Sequence, residues 1–196
     1  MDNSIRMLRL NGNMKESPLV QVIRKIDLLC NRASIAYAVI GGMAVVRNGA
    51  FRTTMDVDIL LNKHDKGNID TAIQKHSMTF EIGADCLLDT EYGIEVDILY
   101  SGDEWEMIIP LPKPDKIREY DSEYGAWFIN FYNLLELKTA IYLKKKEEDG
   151  IEIAAKDLAD ITSLLQKNKD FVNLDRIQCL APGIQETLLS IVRNVL

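Results

Sequence analysis

The sequence predicts an α/β fold of the α+β type, in which a small mixed β-sheet is flanked by helices. Three observations lead to this prediction. Short apolar runs of strand length recur through the first part of the chain. Between them, apolar residues are spaced three or four positions apart, as on one face of a helix. From Tyr132 onward only helical patterns remain. We therefore expect a core domain at residues 1–130 and a C-terminal helical subdomain at 131–196, packed on the core.

The predicted elements of the core begin with a helix. Residues 1–16 are polar and are expected to be loose or to form an edge element. Ser17-Pro18 is typical of a helix start, because serine caps the first turn and proline suits the first helical position. Apolar residues then recur at helical spacing to about Asn31. The elements expected next are a strand at 35–40, a short helix at 43–48, a strand at 56–61, a helix at 65–76, and a hairpin with strands at 82–88 and 94–100.

Proline and glycine mark the later boundaries. Pro110, Pro112 and Pro114 predict a connection that is not helical, because proline removes a backbone donor and disrupts helix interiors. Residues 126–129 suit one more strand. Pro182-Gly183 should separate the last two helices.

The composition fits an ordinary globular protein. The chain has 196 residues, 47% of them hydrophobic, which is enough for a sizeable core. Its formal net charge of -7 provides no overall positive field for nucleic acid.

Among the acids, Asp85 and Asp89 share a predicted strand face and are expected to face solvent.

The chain contains no hydrophobic signal segment and no apolar run of membrane-spanning length. We therefore expect no membrane partner. The three cysteines are widely spaced and match neither a zinc-ligand pattern nor a disulfide framework. A cytoplasmic location is the simplest expectation.

Closely spaced carboxylates are the most informative chemical feature. Asp56 and Asp58 lie two residues apart in a predicted strand, and alternate residues of a strand project from the same face. A second strand-like run, residues 94–100, carries Asp97 in an apolar setting. Carboxylates this close repel one another unless a cation neutralises them, and Mg²⁺ prefers oxygen ligands. The pattern predicts a magnesium site, in which two ions about 3.5–4 Å apart would suit an in-line displacement.

A glycine pair precedes these acids. Gly41-Gly42 follows an apolar strand-like run, and thirteen residues separate Gly42 from Asp56. Because glycine has no Cβ atom, backbone N–H groups at this turn can approach phosphate oxygens closely. The short helix expected after the pair would place its N-terminus near the same charge. Together, the glycines and the acids predict a site for Mg²⁺ and a nucleoside triphosphate.

The motifs occur in a recognisable order. Gly41-Gly42 comes first, followed by Arg52-Thr53-Thr54-Met55-Asp56-Val57-Asp58 and then by Asp97 in its apolar strand. Gly-Gly, Arg-x-Thr-x-Asp-x-Asp and a later Asp resemble the nucleotidyltransferase superfamily that includes DNA polymerase β. The AbiEii-type toxin branch also tends to have Leu-x-x-Lys and Lys-Asp-x-x-Asp. These patterns match Leu135-Glu136-Leu137-Lys138 and Lys156-Asp157-Leu158-Ala159-Asp160, so the resemblance extends over residues 35–166.

The resemblance implies a role for each matching residue. Asp56, Asp58 and Asp97 would bind the metal ions and form the catalytic set, with Asp97 as the base for the acceptor hydroxyl. Gly41 and Gly42 would cradle the triphosphate. The other implied residues are Arg52, Thr54 and Lys138 for nucleotide binding, and Glu95, Lys156 and Asp157 as supports behind them.

Some roles stay open. Glu95 shares the strand face of Asp97 and is an alternative third carboxylate. Lys138 and Asp157 face inward from neighbouring predicted helices. There they either bind and orient the triphosphate or form an interhelix ion pair without a substrate role. Gly42 also stands where many superfamily members have a serine, so no hydroxyl is available to phosphate at that position.

The function implied is Mg²⁺-dependent nucleotidyl transfer. Such an enzyme, of EC 2.7.7 type, would move a nucleoside monophosphate from ATP or another nucleoside triphosphate to an acceptor hydroxyl and release pyrophosphate. The acceptor is open between tRNA, a protein and a small molecule. The AbiEii resemblance adds a toxin–antitoxin role with a cognate antitoxin. Two alternatives remain: a catalytically idle nucleotide sensor or partner-binding module on the same fold, and a metal-dependent phosphohydrolase that uses water.

Overall fold

A computed structural model describes residues 17–102 and 109–195, so the expectation for residues 1–16 lies outside the described residues. The chain divides into two compact units. One unit contains the described residues up to Met43, together with Thr53–Ser101 and Pro112–Ile129. The other contains Ala44–Arg52, the described residues of Gly102–Leu111, and the chain from Asn130 onward. The division into domains at residues 1–130 and 131–196 stays a prediction.

The first unit is built on a mixed sheet of seven strands, which confirms the predicted α/β class. The strands are β1 (Tyr37–Val39), β2 (Val57–Leu61), β3 (Phe80–Ile82), β4 (Cys86–Asp89), β5 (Ile94–Tyr100), β6 (Arg118–Asp121) and β7 (Ala126–Ile129). Their order in the sheet is β3-β4-β5-β2-β1-β7-β6. The β2–β5 and β1–β7 pairs are parallel, and the other neighbours are antiparallel.

The middle of the sheet is buried except at a few polar positions. On β2 every residue is buried apart from Asp58, which is half-buried. Along β5, buried apolar residues alternate with Glu95, Asp97 and Leu99, which are more exposed. This alternation is the period of two that a strand imposes on its side chains. Because Asp58 and Asp97 are partners in the parallel register, the two acids lie side by side.

The α-helices of this part of the chain, in order, are α1 (Pro18–Ala33), α2 (Gly41–Arg47), α3 (Lys66–Lys75) and α4 (Pro114–Ile117). Helix α2 begins in the first unit, and its residues from Ala44 onward belong to the second. Ser17 caps α1 as predicted, because its side chain accepts the N–H of Val20 at 3.3 Å. Helix α2 begins at Gly41, two residues before the predicted start. The expectation of a non-helical connection through Pro114 is wrong, since Pro114 begins α4. Proline has no N–H to lose at a first helical position, which explains this start.

Asp89 is buried, so the expectation that it faces solvent is wrong. Its side chain accepts the N–H groups of Glu91 at 3.1 Å and Tyr92 at 2.8 Å, and it ion-pairs with Lys25 of α1 at 2.7 Å. A carboxylate that caps a turn in this way is fully satisfied although it is 0% exposed. Asp85 is exposed, as expected, and pairs with Lys66.

From residue 131 onward the second unit consists mainly of helices, which confirms the helical prediction for the C-terminal region. Its helices from residue 131 onward are α5 (Phe131–Glu148), α6 (Ile151–Lys167), α7 (Leu174–Gln178) and α8 (Pro182–Val195). Asn130 caps α5 by accepting the N–H of Asn133 at 3.1 Å. Pro182 is the first residue of α8, so the predicted break falls between α7 and α8. Within the described ranges, no helix is both long and apolar enough to cross a membrane.

Candidate active site

The carboxylates singled out in the sequence meet at the start of β2 and on β5. Asp58 is the second residue of β2, and the register places it opposite Asp97 of β5. Asp56 lies in the bend that leads into β2 and so precedes the strand in which it was predicted. Glu95 is exposed and lies two positions before Asp97 on the same strand. The structure therefore pairs Asp97, rather than Glu95, with Asp58.

The glycine pair contacts Asp58 directly. Gly42 N–H donates to Asp58 Oδ2 at 3.3 Å, and Ile40 N–H donates to the main-chain oxygen of Asp58 at 2.9 Å. Gly41 has a φ of 57°, in the left-handed region, and a Cβ atom at this residue would collide with the Asp58 carboxylate. Only glycine therefore satisfies both the backbone conformation and the space beside Asp58.

Asp97 has a perturbed environment. Burial is the largest cause that raises the pKa of its carboxyl group, followed by the negative charges of Asp58, Glu95 and Asp56. All of these causes act in the same direction on the pKa of Asp97. A carboxylate with a raised pKa holds a proton more strongly than an ordinary one, which suits it to accept a proton from a hydroxyl.

Asp56 is held by a neighbour in its own bend. The Thr54 hydroxyl donates to Asp56 Oδ1 at 2.7 Å, and Thr54 is buried. The sequence motif had suggested a nucleotide contact for Thr54. In the structure, the partner of its hydroxyl is a carboxylate of the predicted metal set.

A cysteine completes the row of side chains across three strands. Cys86 of β4 pairs in register with Asp97, which in turn pairs with Asp58. Burial, then a hydrogen bond with Glu95, and then the charges of the surrounding acids raise the pKa of the Cys86 thiol. The thiol therefore stays protonated and is a poor nucleophile here. Its place beside the acids was not predicted, because strand register cannot be inferred from the cysteine spacing.

The donors at this face fit a hard divalent cation. All the acidic side chains present oxygen atoms, which Mg²⁺ prefers, and the crowding that raises the pKa of Asp97 is relieved by a positive charge. The Asp58 carboxylate packs against the backbone of Gly41, in the place that a Cβ atom of residue 41 would occupy. Among the described residues, however, no three His, Cys, Asp or Glu side chains are arranged as a complete set of metal ligands. The site thus offers a carboxylate pair rather than a preformed cage.

The second unit contains a buried ion network. Lys138 of α5 lies 3.1 Å from Asp157 and 2.9 Å from Asp160, both on α6. Lys145 also contacts Asp157, at 3.1 Å, and Arg52 contacts Asp160 at 2.6 Å. Lys138, Asp157 and Asp160 are all buried. The predicted pairing of Lys138 with Asp157 is therefore present, and it is common to both of the roles that the sequence left open.

Two members of this network were not among the predicted site residues. Asp160 joins Arg52 to Lys138, and Lys145 supplies a second cation to Asp157. The signal for Asp160 was its spacing, since residues three apart on a helix share a face with Asp157. Lys156, predicted as a support, is exposed.

Two further polar features belong to the same unit. The Nε atom of Arg52 is buried and has no hydrogen-bond partner in the described structure. A cavity of about 410 Å³ is lined by Gln166, Lys169, Asp170 and Val195, and none of these is a predicted site residue.

Comparison with known proteins identifies the fold. No family model matches the chain, and no curated protein matches it. Among solved structures, an antigenic nucleotidyltransferase-like protein from Paracoccidioides brasiliensis is similar, with a TM-score of 0.64 and 20% identity. The similarity covers 91% of this chain and 89% of that protein.

The crystal structure of ANT(2")-Ia in complex with adenylyl-2"-tobramycin is also similar. Its TM-score is 0.54 at 12% identity, over 89% of this chain and 97% of the other. The solution structure of the same antibiotic-resistance factor has a TM-score of 0.54 at 11% identity, over 89% and 91% of the two chains. These likenesses concern the fold and give no support to the AbiEii-type branch. They identify this chain as having a nucleotidyltransferase-like fold.

Proposed function

We propose that the protein is a Mg²⁺-dependent nucleotidyltransferase, which transfers a nucleoside monophosphate from a nucleoside triphosphate to an acceptor hydroxyl. The observation that carries this proposal is the pairing of Asp58 with Asp97 beside Gly41. Two carboxylates on adjacent parallel strands repel each other and attract a divalent cation. Any side chain at residue 41 would displace Asp58, so glycine at this position supports the role proposed for this carboxylate.

The residues of the chain can be assigned to the steps of transfer. The acceptor oxygen forms a bond to the α-phosphorus while the bond from that phosphorus to the α–β bridging oxygen breaks. Pyrophosphate leaves with the electron pair of that bond. Asp97 accepts the proton of the acceptor hydroxyl, as a carboxylate close to a metal-acidified hydroxyl can. Most of the catalysis then comes from positioning and from stabilisation of negative charge.

Asp56, Asp58 and Asp97 would hold the magnesium, with two ions expected. Bound Mg²⁺ supplies positive charge to the phosphate oxygens and acidifies the attacking hydroxyl. The protein itself orients the ligand oxygens. Gly42 N–H holds Asp58 Oδ2, and the Thr54 hydroxyl holds Asp56 Oδ1.

For the nucleotide we propose Gly41, Gly42, Arg52 and Lys138. Arg52 keeps a buried Nε–H donor without a partner in the described residues, and a phosphate oxygen would satisfy it. Lys138 contacts two aspartates, Asp157 and Asp160, which fix the position of its ammonium group. In this proposal, the ammonium group also binds a phosphate oxygen. Asp157 and Glu95 act as supports in this proposal. Lys156 is exposed and would contribute only at the surface.

The acceptor is proposed to be a small molecule with a hydroxyl group. ANT(2")-Ia was solved with adenylyl-2"-tobramycin, in which a nucleotide group is joined to a small molecule. The net charge of -7 also argues against broad binding of nucleic acid. Transfer to tRNA or to a protein, and a toxin role controlled by a cognate antitoxin, are retained as hypotheses from the sequence resemblance.

The alternative function is a protein of the same fold that binds nucleotide, or a partner, without turning nucleotide over. Pyrophosphate release distinguishes the two functions, because a sensor releases none with any acceptor. A phosphohydrolase would instead yield free phosphate products from water alone.

Label transfer tests the proposal. Each nucleoside triphosphate, labelled at the α-phosphate, is incubated with the protein, Mg²⁺ and a cell extract separated into RNA, protein and small-molecule fractions. We expect label in the small-molecule fraction, release of pyrophosphate, and loss of both with Asp97→Asn. Label in the RNA or protein fraction would reassign the acceptor. Binding without any transfer or pyrophosphate would support the sensor.

A further inference from the structure

Asp56 lacks the support that the sheet gives to Asp58 and Asp97. It lies in a bend before β2, where no strand partner fixes its backbone. Asp58 and Asp97 are placed by the parallel register, and Asp58 is also held by the glycine turn. A carboxylate in a bend rotates among several rotamers unless another group fixes it. Its contribution to a cation site therefore depends on a local contact.

Thr54 supplies that contact. Its hydroxyl donates to Asp56 Oδ1 at 2.7 Å, and the residue is 7% exposed. A carboxylate can only accept, so the hydroxyl must be the donor. The other oxygen, Asp56 Oδ2, has no hydrogen-bond partner among the described residues. The contact thus fixes one oxygen of Asp56 and leaves the second free to bind a cation.

We propose that Thr54 is a positioning residue that orients the Asp56 carboxylate for a divalent cation, rather than a ligand of the nucleotide. The inference rests on the proposed function, because it assigns Asp56 to the same cation site. Groups that orient metal ligands in this way typically affect metal affinity by about 10–100-fold when they are removed. A hydroxyl that orients a metal-binding carboxylate affects the affinity for metal whether or not nucleotide is present.

The Arg-x-Thr-x-Asp-x-Asp motif does not distinguish a threonine that binds nucleotide from one that positions a metal ligand, but the two roles predict different effects on binding. A nucleotide ligand at position 54 would change the affinity for nucleotide and leave the affinity for metal alone unchanged. A positioning residue instead changes the affinity for metal measured in the absence of nucleotide. Mn²⁺ without nucleotide is therefore the appropriate probe, since carboxylates bind it as they bind Mg²⁺ and its free concentration is measurable by electron paramagnetic resonance.

The test uses matched substitutions at neighbouring threonines. Thr54→Val removes the hydroxyl and keeps the branched shape, whereas Thr54→Ser keeps the hydroxyl. Thr53→Val makes the same chemical change one residue away at an exposed position. Unfolding in urea reports whether each variant is folded, and Thr54→Ala replaces Thr54→Val if the latter is not.

We expect Thr54→Val to weaken Mn²⁺ binding by about tenfold or more, and Thr54→Ser and Thr53→Val to bind like the wild type. Unchanged binding by Thr54→Val would overturn the inference, as would equal weakening by Thr54→Ser. Asp58→Asn/Asp97→Asn serves as the reference for the site itself. If it abolishes Mn²⁺ binding while Thr54→Val binds like the wild type, only the role of Thr54 is wrong. If the wild type binds no Mn²⁺, or binds it equally without these acids, the proposed function fails and the inference with it.

Discussion

Gly41 lies so close to Asp58 that a Cβ atom at residue 41 would collide with the Asp58 carboxylate. The left-handed φ of Gly41 and the closeness of the Asp58 carboxylate are separate reasons for glycine at this position. The sequence predicted that the glycine pair lies at the site but assigned it to the triphosphate. Its contact with Asp58 was not predictable, because it depends on how closely the turn approaches β2.

Gly41→Ala should therefore harm the site more than its effect on backbone strain would suggest. A left-handed conformation costs a residue with a side chain about 1–2 kcal/mol, and the added methyl group must also displace Asp58. Gly49→Ala is the matched control, since Gly49 has a φ of 81° and open space around it. We expect both variants to lose unfolding free energy in urea, Gly41→Ala more than Gly49→Ala, and only Gly41→Ala to bind Mn²⁺ more weakly. Equal Mn²⁺ affinities in the two variants would show that Asp58 is not displaced.

Single acids illustrate both the strength and the limit of sequence patterns. The strand period correctly predicted that Asp97 would alternate with buried residues on β5. It placed Asp56 in a strand, whereas the residue lies in the preceding bend and depends on Thr54. It also placed Asp89 in solvent, although Lys25 and two backbone N–H groups satisfy it in the interior. Such burial depends on partners distant in sequence, which periodicity does not report.

At the scale of elements, the ion network joins α5 to α6. Burial alone would raise the pKa of Asp157, but the ion pairs with Lys138 and Lys145 lower it overall. The folded protein therefore binds a proton at Asp157 less readily than the unfolded chain does. The stabilisation is present above the ordinary carboxyl pKa of 3.8 and is lost as the pH falls below that value.

Asp157→Asn should lower the free energy of unfolding at pH 7 by about 2 kcal/mol, because hydrogen bonds to charged groups are lost. The difference in unfolding free energy between the variant and the wild type should shrink as the pH falls below about 4. At sufficiently low pH, Asp157 is protonated in both the folded and the unfolded wild type, and its ion pairs no longer contribute. Urea unfolding followed by circular dichroism at several pH values measures this. Asp149→Asn changes an exposed acid nearby and should have little effect. A difference that does not depend on pH would contradict the account of this network.

Some elements could be predicted from the sequence and others could not. Strand β7 and the cap of α1 match their predictions because their signals are local. Strands β3 and β6 were missed, although both lie at the edges of the sheet, because β3 has only three residues and β6 is mostly polar. The start of α4 at Pro114 was missed because a proline can either exclude a helix or begin one.

At the scale of the whole molecule, the order of the strands is the feature least accessible to sequence reasoning. Val57 pairs with Val96 and Val39 with Phe128, and no local pattern specifies these long-range partners. The resemblance in motifs nevertheless pointed to the fold that the solved structures share with this chain. Motif order succeeds here because the acids must be brought together by strands that neighbour one another in space.

We propose that the acids at positions 58 and 97 form a cation-dependent nucleotide site. Calorimetry with each nucleoside triphosphate, with Mg²⁺ or with a chelator, tests it most directly in the wild type and in Asp58→Asn/Asp97→Asn. Asp85→Asn controls for the loss of an exposed acid on the same part of the chain.

We expect the wild type and Asp85→Asn to bind at least one nucleoside triphosphate only when Mg²⁺ is present. The double variant should bind it more than about tenfold less tightly, a loss above about 1.4 kcal/mol. Equal binding with the chelator, equal binding by the double variant, or no binding of any nucleotide by the wild type would contradict the claim.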